Sequence, residues 1–303
     1  MDYITLIKNL QRPQGQIDVV LDTDTYNEID DQFAVAYMIS YREKLNVKAF
    51  YAAPFYNNHS DSPEDGMEKS YQELLHLLEL MKRNELKPIV FRGSTRYLES
   101  ETTPVKSPAA EHLCELAMNY STENPLYVVA IGAITNVASA ILMKPEIIDR
   151  IVVVWLGGNA QHWPHTWEFN MFQDVAAARV VFGCGVPLVQ LPCMGVVSAF
   201  TISEAELHYW LKGKNALCDY LVQHTIDEVT YADGKPWTRV IWDVTAVAWL
   251  VGDFTKSILI PSPIPEYDHH YGNDPTRHMI NYVYHVDRDK LVQDLFERLA
   301  DLG

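Results

Sequence analysis

The sequence predicts an α/β chain, Rossmann-like, with a mainly parallel central sheet flanked by helices and a mostly helical C-terminal part. Three observations predict it. Apolar, β-rich runs recur at Ile17–Leu21, Val47–Ala53, Leu126–Ala130, Ile151–Leu156 and Leu188–Leu191, separated by stretches of helical period. The run Ile151–Leu156 is apolar at every position, as a parallel strand covered on both faces requires. A polar cluster follows most of these runs: Asp22–Asp31, Asn57–His59, Gly132–Asn136 and Gly157–Asn170. Each cluster alone reads as a turn. Ligands of open parallel sheets bind at the carboxyl ends of the strands, so the repeated position of the clusters points to one shared rim.

In chain order, Ile17–Leu21 leads through the acidic loop into a helix-period run from Gln32 to Ile39. The strand Val47–Ala53 is broken by Pro54. Met67, Tyr71, Leu74, Leu75, Leu78 and Met81 mark a helix over 66–81 whose apolar face is core. A short strand at Ile89–Phe91, an irregular loop over 92–104 and a helix over 109–120 precede the strand Leu126–Ala130. That strand ends in Gly132–Asn136 and a further helix, and Ile151–Leu156 ends in Gly157-Gly158-Asn159. The loop to Asn170, a helix over 174–182 and the strand Leu188–Leu191, stopped by Pro192, follow. Beyond Ser203 the pattern turns largely helical, with a helix over 242–250, a Pro-rich turn over 261–265, a β pair around Met279–Val286 and a C-terminal helix. No repeat, linker or low-complexity tract interrupts the chain, so residues 1–303 are expected to form a single domain.

With 303 residues, 48% hydrophobic and 21% charged, the chain can bury a large core. A net charge of −16 without clusters of Lys and Arg argues against nucleic-acid and anionic-membrane partners. Cys114, Cys184, Cys193 and Cys218 show no C-x-x-C spacing and read as reduced, mostly buried thiols of a cytoplasmic protein. No run approaches 18 apolar residues, and residues 1–16 lack a basic region followed by an apolar core. Neither a signal peptide nor a transmembrane helix is expected.

The acidic loop carries the chemistry. Asp22, Asp24, Glu28, Asp30 and Asp31 place five carboxylates within ten residues. Unit charges about 4 Å apart repel by roughly 4 kcal/mol near a protein surface, and a hard cation with oxygen ligands relieves that repulsion. An N-cap role for Asp30 or Asp31 accounts for one carboxylate only. These residues resemble the aspartate motif of the nucleoside hydrolases, the inosine-uridine-preferring nucleoside N-ribohydrolases. Leu21-Asp22-Thr23-Asp24 with Asp30-Asp31 resembles that family's D-x-D…D-D, and Ile134-Thr135-Asn136 its L-T-N turn. Leu156-Gly157-Gly158 is similar to its M-G-G, Glu168-Phe169-Asn170 followed by Asp174 to its E-F-N…D, and Trp242-Asp243 stands in the place of its H-D.

The resemblance implies the nucleoside hydrolase fold and a Ca²⁺ ion held by Asp24, Asp31, the backbone carbonyl of Thr135 and Asp243. It implies that Asp24 is the general base on a metal-activated water. It further implies that Asp30, Glu168, Asn170 and either Asn57 or Asn58 hold the ribose hydroxyls of a nucleoside or related riboside, and that the chain self-associates. The chemistry is consistent. Breaking an N-glycosidic bond builds positive charge on the sugar, so the site needs an activated water, anionic groups near that charge and help for the departing base.

The chain departs from the pattern at three places. Thr25-Tyr26-Asn27-Glu28 lengthens the acidic loop by two residues. Trp242 replaces the histidine before the last metal-binding aspartate, and an indole stacks but delivers no proton at neutral pH. The loop 159–168 is rich in His and Trp, so His162 and His165, with Trp242, are the candidates for leaving-group recognition or protonation; in a surface turn both histidines can equally be idle. His59 has the same standing, and Tyr231 reads as structural. Two competing functions remain at this point. One is a non-catalytic nucleoside- or sugar-binding protein that keeps the Ca²⁺ site. The other, more distant, is a Mg²⁺-dependent phosphatase of the haloacid-dehalogenase type, whose D-x-D-x-T motif Asp22–Asp24 and Thr25 also match. The required late acidic pair is missing at Asp253, and that reading leaves Glu168–Asn170 unexplained.

Overall fold

The apolar runs pair edge to edge in the computed structural model, which describes residues 1–302. In chain order the elements are α1 (Tyr3–Asn9), β1 (Ile17–Thr23), α2 (Asp30–Ser40), β2 (Leu45–Ala52), α3 (Pro63–Leu80), β3 (Val90–Arg92), α4 (Pro108–Ala117) and β4 (Leu126–Ala130). Then come α5 (Thr135–Met143), β5 (Ile151–Leu156), α6 (Phe169–Gln173), α7 (Val175–Gly183), β6 (Leu188–Leu191), β7 (Thr201–Ser203), α8 (Glu204–Trp210) and α9 (Ala216–Glu228). The chain finishes with β8 (Thr238–Val240), α10 (Val244–Val251), β9 (Thr255–Pro261), β10 (Ile264–Pro265), β11 (Tyr271–Gly272), β12 (Met279–Val286) and α11 (Arg288–Ala300).

One eight-stranded sheet has the order β3-β2-β1-β4-β5-β6-β12-β9. Every neighbouring pair is parallel except β12 with β9. The fold class read from the sequence is therefore present. The β pair expected around Met279–Val286 is instead the single strand β12, whose antiparallel partner β9 lies before the Pro-rich turn. Half-exposed and carrying Lys256 and Pro261, β9 has the composition of a sheet edge and lacks the apolar run that reveals the inner strands. The region beyond Ser203 thus adds two strands to the sheet as well as α8 to α11.

Alternation along each inner strand divides the core into two layers. Val152, Val154 and Leu156 face α2, α10 and α11, while Ile151, Val153 and Trp155 face α4, α5 and α7. Polar residues start the helices where the sequence signals it. Ser62 and Ser107 each accept a backbone N–H at the start of α3 and α4, with Pro63 and Pro108 next in line. β1 connects outward to β2 on one side, and its other neighbour β4 connects outward to β5. The two connections diverge, and a crevice opens above the carboxyl ends of β1 and β4.

Candidate active site

Asp22 and Asp24 leave the end of β1 at this crevice. Two buried helices aim their N-termini at the same place: every residue of α2 from Asp30 to Ile39 is buried, as is all of α10, and the two pack together. Asp30 and Asp31 open α2, and Asp243 immediately precedes α10. Neither helix has a side-chain cap, so these carboxylates are not spent on capping, and the partial positive charge of each helix start favours their ionised form. Carboxylate oxygens of Asp30, Asp31 and Asp243 lie within 4.8 Å of one another. Asp24 is fully buried, and neither of its carboxylate oxygens has a hydrogen-bond partner. Gly132 makes room for it, since a Cβ at Gly132 would stand 2.8 Å from Asp24 Oδ1.

Burial pushes the carboxyls of Asp24, Asp31 and Asp243 well above the ordinary range, and the neighbouring aspartates push in the same direction. Against this, the Thr23 hydroxyl donates to Asp31. Four acids so close cannot all be ionised without positive charge among them. Unpartnered, buried, hard oxygen donors are what a divalent cation of the calcium class takes, so the residues present fit a metal ion. Asp22 has a different task. Its Oδ1 accepts from Asn136 Nδ2 at 2.7 Å, and burial raises its pKa to about 7. Asn136 also accepts from Ser94 N at 2.7 Å, which ties the ends of β1 and β3 to the start of α5. Thr135 is fully buried at that helix start, and its hydroxyl donates to Asp174 Oδ2 at 2.7 Å.

The facing wall comes from the loop after β5. Gly158, at φ +72°, turns the chain where a side chain would run into the Tyr271 hydroxyl. The Glu168 carboxylate accepts from Gly158 N (2.8 Å), Asn170 N (2.9 Å) and Met171 N (3.0 Å) and so caps α6. Asn170 Nδ2 donates to Ile131 O and Leu156 O, both at 3.0 Å. Both amide hydrogens are used at the ends of β4 and β5, and the side-chain oxygen is left for a ligand.

A cavity of about 220 Å³ lies between the two walls. Asp30, Asp31 and Asp243 line one part, Glu168 and Asn170 another, Asn27 and Glu28 a third, with Trp167, Phe169 and Trp242 as aromatic surface. Of the residues singled out in the sequence, Asp30, Asp31, Glu168, Asn170, Trp242 and Asp243 reach this cavity, and Asp24 lies buried beside the first two. His162 and His165 do not line it: both are exposed. The His165 ring accepts from Trp167 N at 3.2 Å, and His162 lies against Gly195. Asn57 and Asn58 do not line it either. Asn57 Nδ2 donates to Asn27 Oδ1 at 2.6 Å, so in the two-residue-longer loop Asn27 occupies the wall and Asn57 supports it. Tyr231 is exposed, its hydroxyl on Thr238 O.

Sequence reasoning missed Asn27, Arg239 and Cys193. Arg239 Nη2 bridges Glu28 Oε2 (3.0 Å) and Glu228 Oε2 (2.8 Å). Burial and the Asp30 charge raise Glu28 to about 7, and the Arg239 guanidinium opposes the shift. A single Arg four residues before Asp243 in an acid-rich chain was the available signal.

A model of the family described as "Inosine-uridine preferring nucleoside hydrolase" matches residues 19–292. A pyrimidine-specific ribonucleoside hydrolase, RihA, of Salmonella arizonae is 24% identical, over 95% of this chain and 99% of the relative. RihA of Klebsiella pneumoniae strain 342 is 27% identical over 59% of this chain, which there spans only 62% of the relative's length. Among solved structures, the plant nucleoside hydrolase PpNRh1 superposes with a TM-score of 0.76 at 20% identity, covering 95% of this chain and 99% of that one. At that identity the likeness speaks for the fold.

Proposed function

The chain belongs to the inosine-uridine preferring nucleoside hydrolase family, a family of N-glycosyl hydrolases, and from that premise we propose that it hydrolyses the N-glycosidic bond of a ribonucleoside or related riboside to ribose and free base. One observation carries the proposal: Asp24, wholly buried with both oxygens unpartnered, stands beside the Asp30–Asp31–Asp243 cluster on a cavity that Asn170 enters with a free acceptor. Unsatisfied buried carboxylates cost several kcal/mol unless a ligand meets them, so their persistence argues for use.

Asp24, Asp31 and Asp243 would hold a Ca²⁺ ion, joined by the Thr135 carbonyl. Bound there, the cation supplies the positive charge that makes a neighbouring water more acidic. Asp24 takes the proton from the water that attacks C1′. Asp30, Asn170 and Glu168 grip the vicinal hydroxyls, and their charge and dipoles stabilise the oxocarbenium-like sugar as the bond to the base stretches. Asn27 takes the sugar contact that the resemblance gives to Asn57 or Asn58. Trp242 and Phe169 bound the base by stacking. The four cysteines are unpaired, which supports a cytoplasmic location.

The test is release of reducing sugar from a nucleoside panel by the full chain with Ca²⁺, and again after excess chelator. Turnover that chelator abolishes and Ca²⁺ restores is expected. Tight nucleoside binding without turnover would return the protein to the class of nucleoside-binding proteins.

A further inference from the structure

Three features of the cavity bear on what leaves the sugar. First, the lining is acidic beyond what its cations neutralise. Glu28, Asp30, Asp31, Glu168 and Asp243 line it and Asp24 lies beneath. A divalent ion and the Arg239 guanidinium, itself shared with Glu228, are the cations this site offers them, with the His59 ring, 3.0 Å from Asn27 O, facing Glu28 from outside the lining. Second, among the described residues no His, Lys or Tyr lines the cavity. The one thiol there, Cys193, is pushed up by burial and holds its proton. Glu28, raised to about 7 by burial and the Asp30 charge, has its Oε2 on Arg239 Nη2 at 3.0 Å, a partner that draws it back toward its acceptor-only, ionised form. Third, two indoles flank the space, Trp242 half-buried and Trp167 57% exposed at the mouth. Trp is the aromatic side chain that best attracts a cation to its face.

A neutral nucleoside departs as an anionic base. It would meet uncompensated negative charge, and the one lining carboxyl near neutrality, Glu28, is tied to Arg239. On the hydrolase reading above, we propose that the preferred substrates are N-ribosides whose base is already cationic at the glycosidic linkage, N-ribosylpyridinium or N7-alkylated purine ribosides. In this reaction the oxygen of water bonds to C1′ and the C1′–N bond breaks. Its electron pair passes to the ring nitrogen and cancels the positive charge, and the water proton goes to Asp24 and then to solvent. The heterocycle leaves neutral and needs no acid. Charge moves from between the indoles toward the carboxylates around the sugar, the direction in which this cavity stabilises it.

The test compares kcat/KM of the full chain with Ca²⁺ on nicotinamide riboside, 7-methylguanosine, uridine, inosine and p-nitrophenyl riboside. The cationic pair should exceed uridine and inosine by about 100-fold or more, the order that general acid help is worth. The p-nitrophenyl riboside, whose leaving group needs no proton but carries no charge, should fall between. Uridine or inosine within about tenfold of the cationic pair would overturn the substrate class, leave the hydrolase reading intact and point to Glu28 as a proton donor. Turnover of none of the five would remove the hydrolase reading and this proposal with it. An independent readout is quenching of tryptophan emission by N-methylnicotinamide cation and by neutral nicotinamide. The cation should bind about tenfold more tightly, and Trp242→Leu should reduce that ratio. Equal binding of the two would overturn recognition by charge.

Discussion

The aspartates under the cavity and the histidines above it come from equally polar stretches, yet only the aspartates are held in place. Asp24, Asp30, Asp31 and Asp243 are at most 3% exposed, and each is attached to the end of a strand or the start of a helix that is itself buried. His162 and His165 hang on a loop between β5 and α6, exposed and outside the cavity lining. A side chain is placed by whatever fixes its backbone. The floor inherits its geometry from the sheet and from α2 and α10, whereas the loop takes its shape from its own hydrogen bonds, chiefly those of Asn159 to His165 O (3.1 Å), Trp167 O (3.3 Å) and Met194 N (3.0 Å). Only where the loop re-enters regular structure, at Glu168 and Asn170, does it deliver side chains to the site.

The strongest way to break this comparison is at Asp24. Asp24→Asn keeps the shape and removes both the charge and the proton acceptor, so kcat should fall by about 10²–10⁴-fold. In chelator the same variant should melt no lower than the parent, because an amide relieves the crowding of like charges. Paired rate and thermal-unfolding measurements check it. A kcat within a factor of a few of the parent would show that the floor is built for structure.

Removal of the metal should expose the floor's charge as a pH dependence. Asp22, near 7 in the folded chain, and Asp24, Asp31 and Asp243, also raised, bind protons more tightly folded than unfolded. Their contribution is fully present below the unfolded carboxyl range, near 4, and is lost as pH rises through the folded values. Chelated protein should therefore lose stability between about pH 4 and 7. Ca²⁺ should flatten that slope, because it binds the ionised form. Urea midpoints across that range, with and without Ca²⁺, measure the difference.

The same contrast explains what the sequence revealed. The inner strands were legible because burial on both faces leaves an unbroken apolar run, and the acids because five carboxylates in ten residues have few structural explanations. Arg239 was marked only by its place four residues before Asp243, since its partners Glu28 and Glu228 are 211 and 11 residues away from it in the chain. Asn27 was hidden for a related reason: it lines the cavity from the acidic loop, where it reads as an ordinary turn former. β9 was lost because an edge strand needs no apolar alternation.

At the loop's re-entry the effects should be intermediate. Asn170→Ala leaves the carbonyls of Ile131 and Leu156 without their donor and removes the free acceptor, at about 1 kcal/mol for each lost hydrogen bond. Glu168→Gln turns an NH₂ group toward backbone N–H groups that need an acceptor. Both variants should lower Tm by several degrees and cut kcat at least as much as they raise KM, if the sugar contacts tighten in the transition state. A rise in KM alone would assign them to ground-state binding.

The smallest effects are expected from the loop histidines, and they decide whether the loop is scaffold or chemistry. His165 contributes a ring nitrogen to Trp167 N and its carbonyl to Asn159, and the carbonyl survives any side-chain change. His162 touches Gly195, outside the cavity. Loss of such an exposed contact is worth at most about 0.5 kcal/mol, or roughly a factor of two in rate. His162→Ala and His165→Ala should therefore change kcat/KM by less than about threefold on uridine and on p-nitrophenyl riboside alike. A proton donor to the base would behave otherwise, slowing uridine by about 10²–10⁴-fold while sparing the nitrophenyl substrate. That selective loss in either variant would mean that the loop closes over the bound substrate and brings an exposed ring into the cavity, a rearrangement that the carboxylate floor, locked at the ends of β1, α2 and α10, cannot make.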